Sequence, residues 1–231
     1  MKNDICISEQ ERSSNKYISL RGYFYAVFII GCFLIIAGIM SMKAIFEFSN
    51  LLENLSSDGL AFSTSSSNMN NFGTLFFLLT YVFLIAMLIW VYLAYKNIRI
   101  LAGQKNHWTP VWTVISYFIP GLNLWLPWQL MQEIVHKSAS EPLNKKKVGI
   151  YTAIWCYGLI LAVSYIQLAA SGMQKVSIYD SQWSVLISSF RQMGYSIGSY
   201  LLVVIFILWF TWHITSMQEI KIKILKNRET K

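Results

Sequence analysis

The chain alternates long apolar runs with short, charged connections. Four runs lack any charged residue and reach the length that crosses a bilayer, about 20 residues. They cover residues 23–42, 73–95, 148–170 and 194–217. Lys or Arg stands at or within a few residues of one end of each: Arg21 and Lys43, Lys96, Lys145 to Lys147, and Arg191. The pattern predicts four transmembrane helices. The first run is longer than the apolar stretch of a signal peptide, and no small-x-small cleavage site follows it. It reads as a retained anchor.

A fifth charge-free stretch, residues 108–132, has a different texture: WTPVWTVISYFIPGLNLWLPWQLMQ. Pro110, Pro120 and Pro127 interrupt it, and Pro120-Gly121-Leu122-Asn123 is a turn signal at its centre. Proline removes a helical hydrogen bond and clashes with the preceding turn. The stretch therefore predicts two short helical arms rather than one straight span.

Charge decides whether that stretch crosses. A crossing splits the nineteen Lys and Arg 9 to 10 between the two sides, which is no bias. A stretch that enters and leaves on one side puts sixteen with the two tails and residues 96–107 and 133–147. Lys43, Lys175 and Arg191 remain on the other side. Cytoplasmic loops carry the Lys and Arg excess. The expected architecture is an all-α integral membrane protein with four transmembrane helices. A Pro-broken, cytoplasm-facing helical hairpin, re-entrant or interfacial, completes it. A cytoplasmic tail (1–22) precedes a single membrane domain (23–217), and a basic cytoplasmic tail (218–231) follows. This places both termini on the cytoplasmic side of the membrane.

In that topology Tyr23, Tyr25, Trp90, Tyr92, Tyr95, Tyr151, Trp209 and Trp212 fall near the cytoplasmic ends. Trp108, Trp112, Trp125 and Trp128 load the hairpin. Trp and Tyr favour the headgroup level, where a ring can be buried while its polar tip stays wet. Between the first two runs, AIFEFSNLLENL reads as an amphipathic surface helix and SSDGLAFSTSSSNMNN as a flexible connector.

Composition agrees with the pattern. The chain is 55% hydrophobic and 13% charged, about half the charge of an ordinary soluble domain. Its net charge of +8 lies in short blocks between apolar runs, and no basic stripe belongs to a soluble domain, so nucleic acid is not an expected partner. Lys145, Lys146 and Lys147 and the tail KIKILKNR suit anionic lipid and equally serve as topology determinants. Cys6, Cys32 and Cys156 show no paired spacing and predict neither a disulfide framework nor a zinc site.

Candidate chemistry is sparse. The four spans contain no Asp, Glu, Lys or Arg, the residues that proton and ion pathways ordinarily use. No HExxH, GxSxG or P-loop occurs. His107, His136 and His213 lie in separate segments, so neither a metal site nor a cofactor is expected. No catalytic residue is assigned. Asn123, between Pro120 and Pro127, is read either as the cap of the second hairpin arm or as part of a polar site in a broken helix. Arg99 and Glu133 flank the hairpin and form either a latch or two ordinary exposed charges. Gly194 and Gly198 make a GxxxG pattern, which serves packing within the chain or a homo-oligomer.

The block YKNIRILAGQKNHWTPVWTVISYFIPGLNLWLPWQLMQEIVHKS, from Tyr95, resembles the bacterial membrane family catalogued as domain of unknown function 4328. The residues that carry the resemblance are Arg99, Leu101 (one place early), Pro110, Trp112, Phe118, Pro120, Asn123, Leu124, Pro127 and Glu133. Trp155 matches the Trp-rich start of the next span. The resemblance extends over about residues 75–215, with its specific part in 95–137. It implies a multi-pass bacterial membrane protein and brings no activity with it. The function expected is non-enzymatic binding in the membrane, by a complex subunit, an envelope-response component or an immunity-type protein. The alternative is a small oligomeric transporter or channel subunit. A lipid-active enzyme ranks last.

Overall fold

The computed structural model describes residues 17–53, 59–102, 108–140, 148–158, 164 and 183–229. All regular structure among them is helical. Helix α1 is Arg21–Glu53, α2 is Gly59–Ala102, α3 is the single turn Trp112–Ile115, α4 is Leu126–Ser138 and α5 is Trp183–Glu229. A 3-10 turn, Leu122–Leu124, lies between α3 and α4. Residues 148–158 are helical as well.

Three of these helices are long and apolar enough to cross a membrane: Arg21–Glu53, Ser63–Ile98 and Leu186–Arg228. The protein is therefore a helical protein in contact with a lipid bilayer. Of the third expected span, 148–170, residues 159–163 and 165–170 lie outside the described residues, as do Lys145, Lys146 and Lys147.

The long helices run well past their charge-free cores. The stretch expected as a separate surface helix continues α1 without a break as far as Glu53. The Ser- and Asn-rich run expected as a connector is helical from Gly59 onward. Ser, Thr and Asn are only weakly unfavourable in a helix interior, so continuation from the apolar core overrides local preference. Residues 183–190 and the basic tail to Glu229 are likewise parts of α5.

By contacts the chain divides into two units. One contains residues 29–83 and 157–207. Its packing depends on small residues. A side chain at Gly38 would meet Leu201 Cδ2 at 2.6 Å and Phe76 Cε2 at 3.1 Å, and one at Gly194 would meet the Phe46 ring at 2.9 Å. One at Gly198 would meet Met42 Sδ at 3.6 Å. Both glycines of the GxxxG pattern thus pack on α1 of the same chain. Hydroxyls satisfy one another nearby: Tyr200 donates to Thr80 Oγ1 at 3.4 Å, and Thr80 donates to Phe76 O at 2.9 Å. In the same unit the half-exposed Arg191 pairs with Glu53 and reaches Asn50 Oδ1 at 3.4 Å.

The other unit contains residues 17–28, 84–156 and 208–229 among those described. Its core is formed by Leu20, Ile98, Ile134 and Ile214, all fully buried, with Trp90 and Tyr95 beside them. This unit holds every residue of the hairpin, and the candidate site lies in it.

Candidate functional site

The site is a chain of buried polar groups that ties four segments together. It starts at Asn97, which is fully buried near the end of α2. Its Nδ2 donates to Ile18 O at 2.7 Å, and its Oδ1 accepts from the Ile18 N–H at 3.2 Å. A side-chain amide carries one donor group and one acceptor. It therefore satisfies both the N–H and the C=O of Ile18. This fixes the segment before α1 against α2.

Glu219 of α5 holds the same segment from another side. Its Oε1 accepts from Ser19 Oγ at 2.9 Å, from the Leu20 N–H at 3.2 Å and from Tyr17 OH at 3.2 Å. The carboxylate is almost wholly buried. A buried charge needs such donors, since desolvation is otherwise unfavourable. Burial, and then the adjacent Glu219 charge, hold the Tyr17 phenol protonated well above the ordinary tyrosine range. Tyr17 therefore remains a donor at all physiological pH values.

Gln218, one residue earlier, faces the other elements. Its Nε2 donates to Ser138 Oγ at 2.9 Å and to Ala94 O at 3.2 Å, and its Oε1 accepts from Asn97 Nδ2 at 3.5 Å. Lys221 donates to the carbonyls of Lys137 at 2.7 Å and Ala139 at 3.2 Å. Those are among the last acceptors of α4, and a cation there also suits the helix dipole. The segment before α1, the end of α2, the end of α4 and the end of α5 thus meet at Asn97, Gln218 and Glu219.

Tyr95 ties both ends of the hairpin to α2. Its hydroxyl accepts from the Trp108 N–H at 3.3 Å and donates to Glu133 Oε2 at 2.8 Å. Glu133 also pairs with Lys137 at 2.5 Å. The described partners of Glu133 are thus Tyr95 and Lys137. The side chain of Arg99, its expected latch partner, lies outside the described residues.

Proline and glycine shape the hairpin as the sequence implies, with one change. Gly121 turns the chain at φ 86°, a conformation open to glycine at no steric cost. The Asn123 N–H donates to Ile119 O at 3.0 Å across the turn. Asn123 does not cap the second arm: the cap position of α4 is Trp125, with no side-chain cap bond. Pro127 stands in the first turn instead, where a helix needs no N–H and the fixed φ is already helical. Pro110 O accepts from the Thr113 N–H at 3.2 Å as α3 begins, and Trp112 starts that turn. Pro120 is exposed beside Gly121.

The aromatic residues separate into two groups. Tyr23, Tyr25, Trp108, Trp125, Tyr151, Trp209 and Trp212 are exposed. Trp90 and Tyr95 are not: both are fully buried. Their polar tips find partners inside the protein, Trp90 Nε1 on Thr215 Oγ1 at 3.2 Å and Tyr95 on Glu133. Trp128 and Trp155 do the same, with Thr152 at 3.1 Å and Thr211 at 3.4 Å. Each pairs an indole with a threonine on another segment, a recurrence that residue spacing does not announce.

His136 is exposed, and exposed His213 stacks on Trp209 at 6.0 Å. Among the described residues no cluster of His, Cys, Asp and Glu has the makings of a metal site. The Ser116 hydroxyl is buried without a partner among the described residues.

Sequence reasoning singled out Glu133, Asn123 and the prolines. It missed Asn97, Gln218, Glu219 and Tyr17. The available signal was the placement of an amide and an amide–carboxylate pair directly beyond two charge-free runs, at Asn97 and at Gln218-Glu219.

The family described as Domain of unknown function (DUF4328) matches residues 53–219. The match includes α2, the hairpin and most of α5. Comparison with curated proteins finds no match, and comparison with solved structures finds none.

Proposed function

Because the chain belongs to the DUF4328 family, whose name carries no activity, we propose a function from the chemistry of its own residues. The protein is a non-enzymatic, multi-pass bacterial inner-membrane protein that acts by binding. Suitable roles are a membrane-complex subunit, an envelope-response component or an immunity-type protein. It has four spans, both termini cytoplasmic and a hairpin that enters and leaves on the cytoplasmic side.

One observation carries this reading: Tyr95 bonds to both Trp108 and Glu133. The two ends of the proline-broken stretch therefore meet at one point of α2, which suits a hairpin and not a crossing. The segments with the Lys and Arg excess also converge, since Ile18, Asn97, Ser138 and Glu219 belong to one polar cluster. Within that cluster the amides and carboxylates are engaged in holding segments together. What the hairpin presents outward is apolar: Val111, Ile115, Phe118, Leu122 and Trp125 are exposed. An exposed apolar surface on a rigid support suits recognition within a membrane.

Cysteine accessibility at residues 104 and 140 tests the topology. Both positions should be labelled from the cytoplasmic side, and labelling from opposite sides would overturn it. Photo-crosslinking in native membranes from Leu122 and Trp125 tests the binding role. A discrete protein adduct that disappears when hairpin residues are changed is the expected result. The alternative, an oligomeric transporter or channel subunit, draws on the broken backbone at Pro120-Gly121. Solute flux through reconstituted protein would favour it over binding.

A further inference from the structure

The hairpin has a measurable depth. Along α5, Gln218 marks the level of the polar cluster, with Ser138 and Ala94 bonded to it. Thr211 is seven residues earlier, about 10 Å along the helix, and inside the charge-free run 194–217. Trp155 bonds to Thr211, and the next residue, Cys156, lies close to the Tyr117 side chain of the hairpin. The returning arm gives a second marker. Trp128 reaches Gly149 O at 3.4 Å and Thr152 Oγ1 at 3.1 Å, whereas Ser138, at the other end of α4, is at the level of Gln218. Both arms thus extend from the level of Tyr95 toward the level of Thr211.

We infer that the hairpin is re-entrant: it dips into the cytoplasmic leaflet and presents Val111, Ile115 and Phe118 to lipid acyl chains. The inference rests on the topology proposed above and adds to it a depth and an occupant. Phe118, adjacent to Tyr117, is the most exposed large apolar residue of the hairpin, at 71%. A phenylalanine has no polar tip to keep wet, so it suits acyl chains rather than headgroups. Trp108 and Trp125 do have such tips and are exposed too. Tyr151 and Trp209, whose rings meet edge to face with centroids 5.8 Å apart, are exposed as well.

A broken helix in lipid must limit its orphan backbone groups. The turn does so in two ways. Pro110, Pro120 and Pro127 have no N–H to leave unpaired. The Asn123 and Trp125 N–H groups are taken by Ile119 O at 3.0 Å and Leu122 O at 3.2 Å. The prolines thus break the helix where they also remove donors that hydrocarbon would leave bare.

Spin labels at single cysteines test the depth. The full chain, with Cys6, Cys32 and Cys156 changed to Ala, receives Trp108→Cys, Val111→Cys, Ile115→Cys or Phe118→Cys in turn. Each is reconstituted into phosphatidylethanolamine–phosphatidylglycerol nanodiscs. The ratio of oxygen to nickel-chelate accessibility should rise from 108 to 118, with the chelate largely excluded at 118. Equal ratios at all four positions would mean a hairpin lying on the surface and would overturn the inference. If residues 104 and 140 still label from one side, the topology survives that result. If they label from opposite sides, the topology itself has failed. Tyr117→Cys with native Cys156 retained gives an independent reading, because oxidation should join the two within one chain. Failure to join them, in protein that otherwise folds, would contradict the contact that sets the depth.

Discussion

Asn97 and Ile18 are 79 residues apart, yet the Asn97 side-chain amide pairs with both backbone polar groups of Ile18, at 2.7 and 3.2 Å. The contact works because one amide offers a donor and an acceptor side by side. It makes the N–H and C=O of Ile18 a point of attachment for α1.

Asn97→Ala removes both bonds and leaves the half-buried Ile18 N–H and C=O without that partner. Losing buried partners in this way destabilises by about 1–3 kcal/mol each. Thermal unfolding in detergent should show a clearly lower midpoint, and digestion near residue 17 should become faster. An unchanged midpoint would contradict the role given to the clasp.

The contact between Tyr95 and Glu133 predicts coupled mutations. Tyr95→Phe and Glu133→Gln should each destabilise the protein. Residues that share a hydrogen bond typically couple by about 0.5–3 kcal/mol, so the double variant should lose less than the two single losses together. Strict additivity in unfolding free energies would show that the hydroxyl and the carboxylate act independently.

Small residues in the 29–83 and 157–207 unit predict a contrast. Gly38→Leu and Gly194→Leu would drive atoms into Leu201 and Phe46, whereas a side chain at Gly22 meets nothing within 4 Å. Overpacking costs about 1–3 kcal/mol, so the first two variants should melt at lower temperature and Gly22→Leu should not. Equal behaviour of all three would remove the packing role of the glycines.

Arg191 and Glu53 form an ion pair that is half-exposed on both sides. Exposed pairs contribute about 0–1 kcal/mol. Arg191→Ala should therefore change the unfolding midpoint little, and raised salt should shrink the difference further. A large loss would mean that the pair is more enclosed than its exposure indicates.

How far the residues announced this architecture differs from element to element. Charge-free runs located the cores of α1, α2 and α5, because partition into lipid depends on local composition. The ends were less legible. The Ser- and Asn-rich run before residue 73 reads as a connector, yet from Gly59 it is helix, carried by continuity with the apolar core behind it. Asn123 looks like a cap, but Trp125 takes the cap position of α4, because Pro127 already supplies a suitable first turn. Trp90 and Tyr95 look like interfacial anchors, but Thr215 and Glu133 satisfy them inside the protein.

By itself the sequence determined that the chain enters lipid, where its apolar helices are centred and where proline breaks the pattern. It also held the charge asymmetry from which the one-sided placing of the tails and the hairpin ends is proposed. Each of these follows from the free energy of transferring single segments or charges, which needs no knowledge of neighbours. Only the tertiary structure decided which polar groups meet: Asn97 with Ile18, Glu219 with Tyr17, Ser19 and Leu20, and Tyr95 with both Trp108 and Glu133. A hydrogen bond depends on atoms being within about 3 Å and correctly aimed, and no local pattern fixes that for residues so far apart in the chain.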